Sequence, residues 1–259
     1  MNIFKPNRIP ISLLVLFLFQ SCAPVPVKPP PSPYGHKEIA RIISGFREQE
    51  TRVHTFFSSG RLSVETKGSE SGSNILIVGS KNPFKLKIEL THAWGRPLLH
   101  LMIHDSELQI LSFTDKKYYH GHLGTPGSLR FFRARLDPDQ VWALLRAYPV
   151  LRKYSRAVSL KGNQITLLNG KAEPVQVVDL YQESYLPRLV SFPEQGTKVS
   201  FSDFESNSGL KYARKIRLDD PKTETILALK LKQMVFNKAL PESIFKLEKP
   251  KGFEMLPLR

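Results

Sequence analysis

The stretch that decides the fold is Phe84-Lys85-Leu86-Lys87-Ile88-Glu89-Leu90-Thr91-His92-Ala93-Trp94-Gly95-Arg96-Pro97-Leu98-Leu99-His100-Leu101. Its first seven residues alternate. Phe84, Leu86, Ile88 and Leu90 fall on one side, Lys85, Lys87 and Glu89 on the other. A period of two is that of a strand with one face buried and one wet. Gly95-Arg96-Pro97 is turn chemistry, and residues 98–103 open a second apolar strand. Two strands across a short turn, with no helix between them, pair antiparallel. Trp94 sits at the tip between Ala93 and Gly95, out of easy reach of the core face. A large apolar side chain exposed on a loop tip marks a membrane or partner contact. An indole suits the bilayer interface, where its ring is buried and its N–H stays wet. Trp94, Gly95 and Arg96 are therefore the candidate membrane-insertion loop, with Arg96 placed to meet a lipid phosphate. The alternative is a Trp94 folded back over the rim.

The same period runs outward from this hairpin. Residues 61–65, 74–78 and 107–113 read as its neighbours in a meander. Residues 165–168, 175–181, 188–192, 198–204, 212–218 and 225–236 read as a second run of strands. Ile39, Ile42, Ile43, Phe46, Val53 and Phe56 recur at helical spacing and predict a helix over about residues 36–57. Asp137 as N-cap, Pro138 at N1 and the stripe Val141, Leu144, Leu145, Tyr148 predict another over 137–148, stopped by Pro149. Residues 121–135 read as irregular and basic, and the tail 237–259, with three prolines, as loop-like.

The fold class is thus α+β: a large antiparallel sheet of about eleven strands, with helices covering its apolar concave face. So many strands twist and coil, and the sheet curls into an incomplete, or half, barrel. Two amphipathic helices are too few to fill such a trough, so an apolar hollow is expected. Leu62, Ile75, Ile77, Leu86, Ile88, Leu99, Leu101, Ile103, Ile110, Leu144 and Leu145 are its candidate lining. An acyl chain in that hollow gains about 0.8 kcal/mol per buried CH₂. The opposing expectation is an interior closed by its own side chains.

The N-terminus bears on compartment. Residues 11–19 are apolar apart from Ser12 and follow Lys5 and Arg8. The run is too short to span a bilayer and fits the apolar region of an export signal. It leads into Leu18-Phe19-Gln20-Ser21-Cys22, and Cys22 is the single cysteine of the 259 residues. A small residue before a lone cysteine at this place resembles a bacterial lipobox. That resemblance implies cleavage of residues 1–21 and lipidation of Cys22, the alternative being an ordinary secreted protein. Ala23 at the next position implies sorting to the outer membrane, facing the periplasm. Residues 23–34 hold six prolines and read as an extended tether. The organisation expected is signal 1–21, tether 22–36, domain 37–237 and C-terminal extension 238–259. The chain carries 38 basic and 23 acidic residues, a net of +15. Loss of 1–21 leaves 36 basic against 23 acidic residues, a net of +13. In the periplasm such a charge points to phospholipid or lipopolysaccharide phosphates rather than nucleic acid, or to a merely solvated surface.

The segment Leu90-Thr91-His92-Ala93-Trp94-Gly95 followed by Leu98-Leu99-His100-Leu101 resembles the outer-membrane lipoprotein receptor family, LolB, within the LolA/LolB-like group. Glu107-Leu108-Gln109-Ile110-Leu111 and the helix at 137–148 follow in that family's order, and the likeness covers about residues 38–237. It implies a half-barrel with helical plugs, an acyl-binding cavity, no catalysis and no cofactor. The implied partners are lipoprotein acyl chains, a soluble periplasmic carrier and outer-membrane phospholipid. Trp94 takes the place of a protruding loop residue, commonly leucine, that delivers cargo to the membrane. The Leu240-Pro241-Glu242-Ser243-Ile244-Phe245 segment is closer to LolA, the soluble carrier, which leaves a paralogue for another lipid as an alternative.

Catalytic signatures are absent from the sequence: it has no P-loop, no G-x-G-x-x-G, no G-x-S-x-G and no H-E-x-x-H. His100 with His104, and His120 with His122, have spacings at which two ligands share a strand face, but no third ligand is obvious. Two other classes stay beside the carrier: a scaffolding envelope lipoprotein and a lipid or peptidoglycan hydrolase.

Overall fold

The computed structural model describes residues 31–66, 68–122 and 138–258. Helix α1 is His36–Thr51. It is followed by strands β1 Thr55–Thr66, β2 Ser69–Ser80, β3 Lys85–Thr91, β4 Pro97–His104, β5 Glu107–Ser112 and β6 Lys117–His122. Helix α2 is Pro138–Leu145. Then come β7 Arg156–Val158, β8 Gln164–Leu168, β9 Pro174–Leu180, β10 Pro187–Phe192, β11 Thr197–Asn207, β12 Leu210–Asp220, β13 Thr225–Phe236 and β14 Glu254–Pro257. They form one sheet in the order β14-β6-β5-β4-β3-β2-β1-β13-β12-β11-β10-β9-β8-β7. Its two edges, β14 and β7, do not join. The result is an incomplete barrel, antiparallel except at β14 and β6.

Three strands exceed the expected eleven. β6 lies partly inside the segment expected to be irregular. β7 has only three residues, too few for a period to show. β14 comes from the tail expected to be loop-like. Its backbone pairs with β6 from Glu254↔Lys117 to Pro257↔His120. The segment 123–137 and its Asp137 cap lie outside the described residues, as do the export signal and Cys22.

The first helix is shorter than its apolar spacing predicts. It ends at Thr51, and Phe56 belongs to β1. Val53-His54-Thr55-Phe56-Phe57 is β-branched and aromatic, a composition that favours a strand. The junction is held from far along the chain. Asn237 Oδ1 accepts the backbone N–H of His54 at 2.9 Å, and Asn237 Nδ2 donates to the Arg52 carbonyl at 2.8 Å. α2 also stops early, at Leu145, and Ala147 takes a positive φ of 61°. The last residues of the expected tether are docked: Tyr34 N–H donates to Ser159 Oγ at 3.0 Å.

Cross-sheet rungs place the core. Phe56, Gly79, Leu86, Ile103 and Leu108 stand side by side from β1 to β5. Gly79 has no Cβ, and the Phe56 ring occupies that place. Trp142 of α2 meets Phe56 edge-on at 5.0 Å and Phe84 at 6.0 Å, closing this level of the trough. α1 covers the same end. Its Ile39, Ile42, Ile43 and Phe46 are buried, and Phe46 packs on Tyr148 at 5.4 Å.

The convex face of the sheet is not wholly wet. Val78, Met102, Leu111 and Tyr118 point away from the trough and are buried there. The tail runs over this region. Glu242 accepts from Lys85 Nζ at 2.6 Å, Phe245 lies 5.7 Å from the same ammonium, and Phe253 meets Phe113 at 5.8 Å. Lys85, expected on the wet face with Lys87 and Glu89, is therefore buried by a segment 157 residues away. The hydrogen bond from Lys85 holds the Glu242 carboxyl below its usual range. A depressed carboxylate stabilises above its unfolded pKa, and the effect is lost as pH falls through the folded one. Between about pH 5 and pH 3, Tm should fall less steeply in Glu242→Gln than in the parent chain. Equal slopes in thermal melts would show that the contact does not hold the tail.

An apolar hollow under an exposed tryptophan tip

The candidate lining residues separate into two groups along the strands. The rung Ile75–Leu90–Leu99 lies next to the β3–β4 turn, and Ile77–Ile88–Leu101–Ile110 is the rung below it. α2 approaches the sheet here with Val141, Leu144 and Leu145. Between them is a cavity of about 230 Å³. Leu62, Ile75, Ile88, Leu99, Leu101, Leu144 and Leu145 line it. Ile77, Leu86, Ile103 and Ile110 do not. Each is 0% exposed and lies in the closed core. Alternation assigned all of them to the correct face. Their depth along the strand depends on where Trp142 and Phe56 plug the trough.

Val64, Leu90, Val141, Leu227 and Leu229 complete most of the wall and were not among the candidates. The periodicity of β3 and β13 contained the signal for Leu90, Leu227 and Leu229. On its other side α2 leaves a smaller gap of about 50 Å³ against Val190, Phe192, Val199 and Phe201. Leu144 faces both spaces, so the helix divides one trough in two. The larger space falls below the roughly 300–1,000 Å³ of ordinary ligand pockets. It suits one chain segment, and more chains require α2 to move.

α2 is held at its C-terminal end by a buried charge. Arg146 is 1% exposed, and its Nη1 donates to the Gln49 carbonyl of α1 at 2.9 Å. Its guanidinium lies 5.2 Å from the Tyr148 ring. Burial lowers its pKa to about 10, so it stays charged at neutral pH, and burial raises that of Tyr148 to about 12.

The tip projects beyond the cavity. Gly95 N–H donates to the His92 carbonyl at 2.9 Å, and His92 N–H donates to the Arg96 carbonyl at 2.9 Å. Gly95 has φ of +85°, the left-handed conformation that closes this type of three-residue hairpin. Asn74 of β2 braces the turn by donating to the His92 carbonyl at 3.1 Å. Trp94 is 79% exposed and stacks on His92, with centroids 5.0 Å apart and planes 8° apart. It does not fold back over the rim. Arg96 is exposed beside it.

The histidine pairs lie elsewhere. His100 packs edge-on against Phe113 at 4.8 Å on the convex face. Burial lowers its pKa, opposed by Glu89 and assisted by Lys87. His104 is 3.8 Å from Asp105, and His120 stacks on Tyr118. Among the described residues, no three His, Cys, Asp or Glu side chains gather to hold a metal, and no helix is long and apolar enough to cross a membrane.

No protein-family model matches the sequence, and no curated protein matches it. Solved structures do. A DUF1329-family protein from Desulfovibrio piger is 12% identical, with 81% of this chain and 96% of that one covered at a TM-score of 0.54. A domain described as an outer-membrane lipoprotein-sorting protein, from Vibrio parahaemolyticus, is 10% identical, with 82% and 97% covered at 0.50. The chain shares the fold of these two proteins. A LolA superfamily protein from Nitrosomonas europaea is 13% identical, with 79% and 97% covered at a TM-score of 0.48. At these identities the likeness is one of fold, an open α+β half-barrel, and does not extend to the receptor LolB in particular.

Proposed function

We propose that this protein is a non-catalytic, lipid-anchored receptor or carrier. It takes acyl chains of lipoproteins into its apolar hollow and aids their insertion into the outer membrane, facing the periplasm. The observation that carries this reading is an open apolar cavity whose upper rung, Leu90 opposite Leu99, lies directly beneath an exposed tryptophan tip. A scaffold has no use for either feature. Nothing in the sequence supplies energy, so transfer runs down an affinity gradient, from a carrier to this hollow and then to the bilayer. Anchoring through Cys22 keeps the hollow within reach of its destination.

A second reading, a paralogue that moves another lipid, is favoured by the tail. Residues 242–258 form a layer over the convex face, beyond the last strand that the receptor resemblance covers. Native mass spectrometry of the purified chain tests the shared claim. Bound acyl lipid is expected, and its mass separates the two cargo classes. Protein that is bare after gentle extraction would leave the scaffold as the better account.

A further inference from the structure

The convex face of the sheet carries a second feature, a cationic groove at the base of the Trp94 hairpin. One rung crosses five strands there: Thr91 of β3, Asn74 of β2, Arg61 of β1, Lys230 of β13 and Lys215 of β12. Arg61 and Lys215 both stand directly opposite Lys230. Like charges in that position destabilise a sheet. Elsewhere on this face Lys198 stands opposite Asp219, and Lys87 lies 2.8 Å from Glu89.

Two of the surrounding cations are already neutralised. Lys215 lies 3.3 Å from Asp203, and Arg214 lies 3.0 Å from Glu205. Arg61, Lys230 and Lys232 have no carboxylate within ion-pair distance among the described residues. All three are exposed, and they line one groove of about 620 Å³ with Ser59, Asn74 and Thr91. The one acid in the wall, Glu89, is engaged by Lys87. Three free cations beside neutral hydroxyl and amide groups match a multi-oxygen anion such as a phosphodiester.

Position favours the headgroup of an anionic membrane lipid as its source. Thr91 ends the rung only three residues before Trp94, and β-strand residues rise about 3.3 Å each. The groove is therefore within about 10 Å, along the strand, of the point where the indole would meet a bilayer. We propose that Arg61, Lys230 and Lys232 bind anionic lipid headgroups and tilt the domain onto its convex flank as Trp94 enters the interface. This inference rests on the membrane-delivery reading and names the lipid that serves it.

The test uses the full chain with vesicles of phosphatidylcholine, with and without phosphatidylglycerol. The anchor contributes equally to both, so the ratio of the two affinities isolates the groove. Each cation near an anionic leaflet is worth about fivefold in binding. The triple variant Arg61→Ser/Lys230→Ser/Lys232→Ser should lose most of a roughly hundredfold preference for anionic vesicles. Its bound acyl cargo should be unchanged. Lys153→Ser/Lys161→Ser/Lys171→Ser removes the same charge from exposed positions outside the groove and should keep the preference. Undiminished preference in the groove variant, or equal losses in both triples, would overturn the proposal. If the parent chain holds no acyl cargo while the groove effect persists, the carrier reading fails and the headgroup site stands.

Discussion

Trp94→Glu is expected to lower the affinity of the protein for phosphatidylcholine vesicles by roughly 10²–10³-fold while leaving cargo in the hollow. The indole is 79% exposed and free to move from water to an interface. Burying roughly 150 Å² of apolar ring at about 25 cal/mol per Å² gives about 4 kcal/mol. A carboxylate in its place gains nothing there and must be kept hydrated. The tip does not form part of the cavity wall, and its turn is set by Gly95 and by backbone bonds to His92. The substitution should therefore leave folding and chain retention intact. Delivery of a fluorescent lipoprotein to vesicles should fall in step with affinity. Fluorescence offers an independent check, because Trp142 is 3% exposed and already in an apolar site. The vesicle-induced blue shift should come from Trp94 and vanish in Trp94→Phe. Undiminished delivery in Trp94→Glu would remove this residue from the mechanism.

The second large effect belongs to Leu99, half-buried on the upper rung opposite Leu90. Leu99→Glu places a carboxylate in the apolar wall. A chain passing it either leaves the charge without water, at a cost of several kcal/mol, or withdraws from the hollow. Acyl retention is expected to drop by at least about 10²-fold, the equivalent of roughly three methylenes left in water. The native fold should survive, since the side chain reaches the open end. Leu99→Met keeps volume and polarity and should retain lipid within a few-fold. Titration with a fluorescent fatty acid distinguishes these outcomes, and equal binding by Leu99→Glu and the parent would place the chain elsewhere. Leu86 does not serve the same purpose. It is 0% exposed in the rung plugged by Phe56 and Trp142, so a charge there would unfold the sheet before it reported on binding.

Some of this was legible residue by residue. The alternation of 84–90 fixed the face of every side chain in β3, and the same reading of β1, β4 and β5 put Leu62, Leu101 and Ile110 on the trough side. A period of two permits no other assignment once one face is buried. The turn chemistry around Gly95 placed Trp94 at a tip. The helix at 36–57 was overextended because Val53 and Phe56 continue a helical spacing by coincidence. Thr55 and Phe56 then pair with Ser80 and Gly79 of β2, and Asn237 holds the junction. Alternation gave Lys85 its face but not its burial, because it is blind to a tail that returns from residue 242.

The sequence by itself determined the two-faced strands, the open α+β architecture and the place of Trp94 at a hairpin tip, because these follow from local period and turn stereochemistry; that the indole stands exposed there and does not fold over the rim was decided by the tertiary structure. Tertiary structure alone decided which inward residues line space and which line solid core. That division is set by where α2 lands: its Trp142 fills one level of the trough, and Leu144 and Leu145 stop short of the next. It also decided that Arg61, Lys230 and Lys215 share a rung. Residues so distant in sequence meet only through strand register, which no local pattern specifies.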